Sequence, residues 1–227
     1  MTRAGAFAFP RTRPWTDWVG LGAFSAIAVA VWRQSSEFGI LILPAVLQEL
    51  LVAISFLLRH RPRRTIPGWA PRFVAYGNTF VIMAFLLLAG RYQPEWLAPT
   101  ANFPVRLAGL VLWLLGALLG FWPLWHLRRS FSVEPVARGL VTSGPYRLAR
   151  HPVYAVYLLI NTGIFLGHLT LPFALILAIW IGLLLVRIRY EESVLLQAFP
   201  EEYQGYCRRV GAFGPRPSGA RPSGPDR

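Results

Sequence analysis

The chain concentrates residues capable of binding and catalysis in one short stretch, SGPYRLARHPVYAVY at 143–157. Its Gly-Pro pair predicts a turn, and Pro152 suits the first turn of a helix, where its missing N–H costs no hydrogen bond. Arg150 and His151 would then lie at a helix N-terminus. We expect free backbone N–H groups at that end to favour an anionic group of a ligand.

A second polar cluster, RIRYEESVLL at 187–196, follows after two apolar runs that are joined by the tight connection GHLTLP. Such a helical hairpin returns the chain to the side from which it left. We therefore expect Glu191 and Glu192 to face the loop that carries His151. Two carboxylates beside Arg, His and Tyr side chains could bind a zwitterion that carries an amine, a carboxylate and hydroxyls. S-adenosylmethionine is such a molecule.

The rest of the chain predicts a membrane protein. Of its 227 residues, 55% are apolar and 15% are charged, which is outside the usual composition of soluble domains. We predict an all-α polytopic membrane protein with about six transmembrane helices, a C-terminal helical hairpin and a cytoplasmic amphipathic C-terminal helix. The first helix is expected to be a retained anchor rather than a signal peptide. The predicted spans are 18–32, 39–58, 73–90, 105–126, 153–168 and 171–187.

The placement of the positive charge predicts the orientation. All 23 basic residues are Arg, and twenty of them lie in the segments on one side of the predicted helices. This positive-inside pattern places both termini, the 59–72 loop and the 127–152 loop in the cytoplasm, where arginines meet anionic lipid headgroups. Because the arginines form no continuous patch, we expect no nucleic-acid binding. The lack of Lys is typical of a GC-rich genome, which suggests a bacterial inner membrane.

Metal and disulfide chemistry are not predicted. The chain has a single cysteine, Cys207. One cysteine cannot form an internal disulfide or a multi-cysteine metal site. We therefore expect no metal in this protein.

The two polar clusters resemble the C-terminal half of the isoprenylcysteine carboxyl methyltransferase and phospholipid methyltransferase superfamily. The resemblance covers about 128–210 and rests on Gly-Pro-Tyr, Arg-His-Pro-x-Tyr, a helical hairpin, Glu-Glu and a downstream Tyr-x-x-Tyr. It implies an integral membrane methyltransferase that holds S-adenosylmethionine in a cytoplasm-facing pocket closed by the C-terminal segment. A lipophilic small molecule or lipid acceptor would enter sideways from the bilayer.

The resemblance also implies roles for individual residues. Arg150 and Arg187 are candidates for orienting an anionic acceptor or the cofactor's carboxylate. Transfer of a sulfonium methyl depends mainly on positioning, although His151 could serve as a base toward a thiol or an amine. The residues expected to contact the cofactor are Tyr146, His151, Pro152, Tyr154, Glu191 and Glu192.

The identity of the acceptor is left open by one departure from the family. The family often has Gly two residues after the Tyr of its His-Pro-x-Tyr motif, and Val156 occupies that place. An isoprenylated cysteine carboxylate, a phospholipid amine, a small thiol and a polyprenyl or aromatic acid all fit a lateral, apolar entrance. The resemblance divides the chain into variable N-terminal helices at 1–127 and a methyltransferase core at 128–210. The Pro, Gly and Ser content of the tail at 211–227 predicts that it is disordered.

Other interpretations of the same residues stay open. His151 could cap a helix, Glu191 could form an ordinary pair with Arg187, and Tyr154 could belong to an interfacial belt. For Tyr157 the belt is the preferred interpretation. At the level of function, the alternatives are an NADPH-dependent membrane reductase of the sterol reductase type and a non-catalytic membrane scaffold.

Polar residues also occur deep inside predicted spans. Gln48, Glu49 and Asn78 lie at such depths, where a polar group usually faces a cavity or a partner. Glu49 could line the path of the acceptor or join two helices by a hydrogen bond. Pro123, near the end of the fourth span, predicts a kink just before the first polar segment of the site.

Overall fold

The computed structural model describes residues 15–33, 39–98 and 100–215. Of the tail predicted to be disordered, 216–227 lie outside the described residues, whereas 211–215 are ordered by hydrogen bonds to the backbone before the sixth of the helices below, so the prediction is wrong for them. The described residues form eight α-helices, which we number in chain order: α1 (Trp15–Trp32), α2 (Leu43–Leu58), α3 (Trp69–Tyr92), α4 (Phe103–Leu119), α5 (Phe121–Leu127), α6 (Pro152–His168), α7 (Leu171–Ala198) and α8 (Pro200–Arg209). Three short 3-10 helices complete the helical structure of these residues: Gly39–Ile42, Pro94–Leu97 and Gly144–Arg147.

The prediction of an all-α polytopic membrane protein is confirmed. Five helical segments are long and apolar enough to cross a bilayer, and α6 is a shorter apolar helix. Large apolar side chains cover the outer faces of these helices, and Leu87, Leu118 and Ile179 are each at least half exposed. Such surfaces are stable in lipid, which solvates apolar side chains as well as a protein core does.

The fourth predicted span is interrupted near its end. It is divided between α4 and α5 at Gly120. Pro123 lies in the first turn of α5 and has no N–H to donate to the carbonyl group four residues earlier, so the helix breaks at that point. The predicted kink is therefore confirmed, and its physical cause is the missing hydrogen bond.

Small residues allow α4 and α6 to approach closely. A methyl group added to Gly109 would lie 2.6 Å from the carbonyl oxygen of Gly163, and one added to Gly163 would lie 2.6 Å from that of Gly109. Close contact through small residues is the usual way in which membrane helices pack, because lipid provides little hydrophobic driving force between them. The position of α6 is thereby fixed against α4.

The predicted hairpin is formed by α6 and α7. It turns at Leu169, whose φ of 49° lies in the left-handed region, and at Thr170. α7 continues well beyond the predicted end of its span, so the second polar cluster lies on its last turns. α8 is amphipathic, as predicted: Tyr203 and Tyr206 are buried, while the charged residues Glu201, Glu202, Arg208 and Arg209 are exposed.

A two-stranded antiparallel sheet lies at the end of the helical bundle that carries α8. β1 (Arg64–Thr65) pairs with β2 (Val136–Ala137). It joins the loop between α2 and α3 to the long loop between α5 and α6. We call this end of the bundle the loop end; the residues of both polar clusters lie there.

Candidate functional site

The turn that precedes α6 is held in an unusual conformation. Gly144 has a φ of +59°, which glycine adopts without strain. A Cβ atom at this position would overlap the ring of His126 at the end of α5. Gly144 therefore lets the turn pack directly on α5. Pro152 occupies the first turn of α6, as predicted, and His151 is the residue before it.

We predicted free backbone N–H groups at the start of α6, and this prediction is wrong for Arg150 and His151. The N–H of Arg150 donates to the carbonyl oxygen of Gly211, and that of His151 donates to the carbonyl oxygen of Ala212, both at 2.9 Å. The segment after α8 folds back over the start of α6 and occupies these donors. Phe213 in this segment lies against His151, with ring centres 6.5 Å apart.

Glu192 joins the start of α6 to the end of α7. Its Oε1 atom lies 2.9 Å from Nε2 of His151 and accepts a hydrogen bond from Nε of Arg150 at 3.0 Å. Arg150 also donates from its terminal nitrogen Nη1 to the carbonyl oxygen of Val210 at 2.8 Å. Burial alone would lower the pKa of Arg150, but the Glu192 carboxylate raises it above its ordinary value. The predicted approach of the Glu pair to the His151 loop is confirmed.

Glu191 forms a second ion-pair cluster on the neighbouring face of α7. Its Oε1 atom accepts a hydrogen bond from Nε of Arg187 at 3.0 Å and another from the hydroxyl of Tyr154. The ring of Tyr154 stacks on that of His151, with a centre separation of 5.6 Å. The two clusters are therefore in contact through this aromatic pair.

Arg187 is buried, and its donors are engaged by the protein itself. One terminal nitrogen donates to Thr79 at 2.9 Å and to Asn78 at 3.3 Å, and the other donates to the carbonyl oxygen of Val133 at 2.8 Å. Asn78 in turn donates to the carbonyl oxygen of Trp180 at 3.1 Å. Arg187 therefore connects α3, α7 and the long loop. That it orients an acceptor stays a prediction.

Two aromatic residues of α8 complete the site, and our assignment of individual residues omitted them. The hydroxyl of Tyr206 donates to the carbonyl oxygens of Tyr146 and Ala149, and burial raises its pKa to about 12. The hydroxyl of Tyr203 is buried beside the thiol of Cys207. The Tyr-x-x-Tyr spacing could have identified both, because residues three apart share one face of a helix.

A single cavity of about 440 Å³ connects this site with the interior of the bundle. At the loop end it is lined by charged and aromatic side chains, and farther into the membrane by apolar ones. Tyr157 lines it as well and packs on the core, so its preferred assignment to an interfacial belt is wrong. The residues that line the loop end are Glu134, Tyr146, Arg150, His151, Tyr154, Arg187, Glu191, Tyr203 and Tyr206.

Most of the site residues predicted from the sequence line this cavity, and two do not. Glu192 lies behind His151 and holds it, and Pro152 shapes the start of α6. Whether the lining residues contact a cofactor stays a prediction at this point. Among the residues that the structure describes, no group of three or more His, Cys, Asp or Glu side chains could hold a metal ion.

Comparison with known proteins finds one family profile and several relatives. The profile of the phospholipid methyltransferase family matches 105–202. The chain is 35% identical over 165 residues to the cobalt-zinc-cadmium resistance protein CzcN of Cupriavidus metallidurans, covering 71% of this chain and 67% of that protein. It is 29% identical to methanethiol S-methyltransferase 2 of Bradyrhizobium diazoefficiens, covering 76% and 74%. It is 28% identical to protein-S-isoprenylcysteine O-methyltransferase B of Arabidopsis thaliana, covering 60% and 79%.

Proposed function

The chain belongs to the superfamily of integral membrane methyltransferases that includes the phospholipid and isoprenylcysteine enzymes, and from this premise we propose that it transfers a methyl group from S-adenosylmethionine to a lipophilic acceptor. One observation carries the proposal: the cavity that is lined by residues of both ion-pair clusters continues into the apolar interior of the bundle. A polar cofactor and an apolar acceptor can meet in such a space.

The loop end of the cavity has groups that suit S-adenosylmethionine. A volume of about 440 Å³ lies within the usual range for small-molecule sites. Tyr146, Tyr154 and Tyr203 offer aromatic surfaces for an adenine ring or a sulfonium cation. Tyr203, which lines the cavity, can offer its hydroxyl for a hydrogen bond, and the Glu191 carboxylate can bind an ammonium or a hydroxyl group. Arg150 also lines the cavity and can bind the carboxylate of the cofactor.

The chain contributes to the reaction by positioning. Bound S-adenosylmethionine supplies a methyl group that is already activated by the sulfonium. Glu192 fixes His151 and Arg150, and Glu191 fixes Tyr154, so the lining side chains are held before any ligand arrives. Holding two reacting groups at about 3 to 3.5 Å can lower the barrier by several kcal/mol. His151 can accept a proton where the acceptor is a thiol or an amine.

The acceptor reaches the site from the membrane. Helices α1, α2, α3, α4 and α6 all contribute apolar residues to the inner part of the cavity, which suits an alkyl or prenyl chain. The arginine distribution supports a cytoplasmic loop end and cytoplasmic termini, with the protein in a bacterial inner membrane. This orientation gives the loop end access to soluble S-adenosylmethionine.

Calorimetric titration of the purified full-length protein with S-adenosylmethionine and, separately, with NADPH tests the proposal. We expect saturable binding of S-adenosylmethionine that is lost in His151→Ala and in Glu191→Ala/Glu192→Ala. Glu201→Ala, a change at an exposed residue of α8, is the matched control and should bind as the wild type does. Binding of NADPH in its place, or of neither compound, would overturn the assignment.

A further inference from the structure

Glu49 brings a carboxyl group into the membrane-embedded part of the cavity. It lies in α2, nine residues before Leu58, which is roughly 13 Å from the loop end of that helix at 1.5 Å per residue. Its side chain lines the cavity. A carboxyl group at such a depth is costly unless it has a partner or faces a functional space.

Within the described part of the chain, Glu49 makes no hydrogen bond or ion pair. Asn78, the other deep polar residue, differs because it bonds to both Trp180 and Arg187 and so joins α3 to α7. Gln48, next to Glu49, lines the same cavity, and its buried side-chain nitrogen also lacks a partner in the described residues. A purely structural role would require Glu49 to have partners like those of Asn78.

The surroundings of Glu49 place it next to the reaction site. Tyr157 on α6 is close enough to interact electrostatically with both Glu49 and Arg187. Tyr157 is one helical turn, roughly 5 Å, deeper than Tyr154 on the same face of α6. Asn161 lines the cavity one turn deeper again. Polar groups therefore continue along one wall of the cavity beyond the ion-pair clusters.

The part of the cavity beyond this level is apolar. It is lined by Met83, Leu86 and Ile164. A ligand that extends from the site into this region passes Glu49 before its chain reaches wholly apolar surroundings. A chain made only of hydrocarbon has no N–H or O–H group, so it would leave the Glu49 carboxyl group desolvated and without a hydrogen bond, which costs free energy.

We infer that Glu49 is a second polar recognition point for the acceptor and binds an N–H or O–H donor about one helical turn deeper in the membrane than the methyl-accepting atom. This inference rests on the proposed function, because it assumes that the acceptor occupies the inner cavity. The acceptor is then an amphiphile with a hydrogen-bond donor within its apolar part. A carboxylate at this level is disfavoured, because it would face another carboxyl group.

Binding of three probes with the same twelve-carbon chain tests the inference: dodecylammonium, dodecanol and dodecanoate. The full-length protein is reconstituted in phosphatidylcholine nanodiscs, with saturating S-adenosylhomocysteine to fill the cofactor region, and the probes are titrated calorimetrically. In the wild type we expect the ammonium and the alcohol to bind about tenfold more tightly than the carboxylate, because they can donate a hydrogen bond to the Glu49 carboxyl group and the carboxylate cannot. The same titrations are made with Glu49→Gln and Glu49→Leu.

The variants separate charge from hydrogen bonding. Glu49→Gln should lower the affinity for dodecylammonium by about tenfold. It should leave the affinity for dodecanol nearly unchanged, because an amide oxygen still accepts a hydrogen bond. Glu49→Leu should lower the affinities for both dodecylammonium and dodecanol. Glu95→Gln, at an exposed residue outside the cavity, is the control for partition into the bilayer. If neither Glu49 variant changes the order or ratio of the three affinities, the inference is wrong.

The two proposals fail in different ways. S-adenosylmethionine binding is measured on each variant before the probes are added. If the wild type does not bind S-adenosylmethionine, the proposed function fails. If all variants bind it equally but the probe affinities do not depend on Glu49, only the second recognition point fails.

Discussion

Nε2 of His151 lies 2.9 Å from Oε1 of Glu192, although 41 residues separate them in the chain. The same oxygen accepts the hydrogen bond from Arg150. Glu192 does not line the cavity, whereas both of its partners do. It therefore acts on any bound ligand through the side chains that it holds.

Glu192→Gln should lower the affinity for S-adenosylmethionine by about tenfold, because hydrogen bonds to charged groups contribute about 1.5–3 kcal/mol and their loss lets Arg150 and His151 move. Calorimetry measures the affinity. A double-mutant cycle with Arg150→Gln should give a coupling energy of similar size. Glu201→Gln, at an exposed position of α8, is the matched control. An affinity that is unchanged in Glu192→Gln would contradict a positioning role.

Arg187→Met should destabilise the protein by about 3–5 kcal/mol, because it leaves Glu191 without its cation and removes the hydrogen bonds to Asn78 and Val133 in a buried region. Thermal and chemical unfolding in detergent would measure the loss. Arg189→Met changes an exposed arginine of the same helix and should have little effect. Equal stability of the two variants would show that the Arg187 contacts contribute nothing.

Gly144→Ala should lower the free energy of unfolding by about 1–3 kcal/mol, because Ala is strained at a φ of +59° and its methyl group overlaps the ring of His126. Unfolding measurements on Gly144→Ala and on Gly144→Ala/His126→Ala separate the two causes. The double variant should recover only the steric part. Gly182→Ala, in α7 with open space around it, should not destabilise the protein, because Ala favours a helix more than Gly does. A Gly144→Ala protein as stable as the wild type would exclude both causes.

Tyr206→Phe should make stability less dependent on alkaline pH. Burial raises the pKa of Tyr206 to about 12, against about 10 in an unfolded chain. Its contribution is fully present below pH 10 and is lost as the pH rises toward 12, because only the unfolded state releases the proton. Unfolding measured between about pH 10 and 12 should therefore show a shallower fall in the variant. Tyr92→Phe, at an exposed tyrosine, should retain the wild-type slope.

The sequence by itself predicted the helices and their order, because these depend on local properties. Runs of apolar residues determined the spans, Pro123 determined the break before α5, and Pro152 determined the start of α6. The approach of Glu191 and Glu192 to His151 also followed from chain length alone, since a hairpin of two similar helices returns to its starting side. Motif spacing indicated the family.

The tertiary structure alone decided which side chains pair and which face the cavity. Glu191 and Glu192 are neighbours in sequence, yet one binds Arg187 and Tyr154 and the other binds Arg150 and His151. Adjacent residues point in different directions around a helix, and the rotation of α7 against its neighbours selects their partners. The same reason applies to Glu49 and Asn78, two deep polar residues of which only the second has hydrogen-bond partners among the described residues.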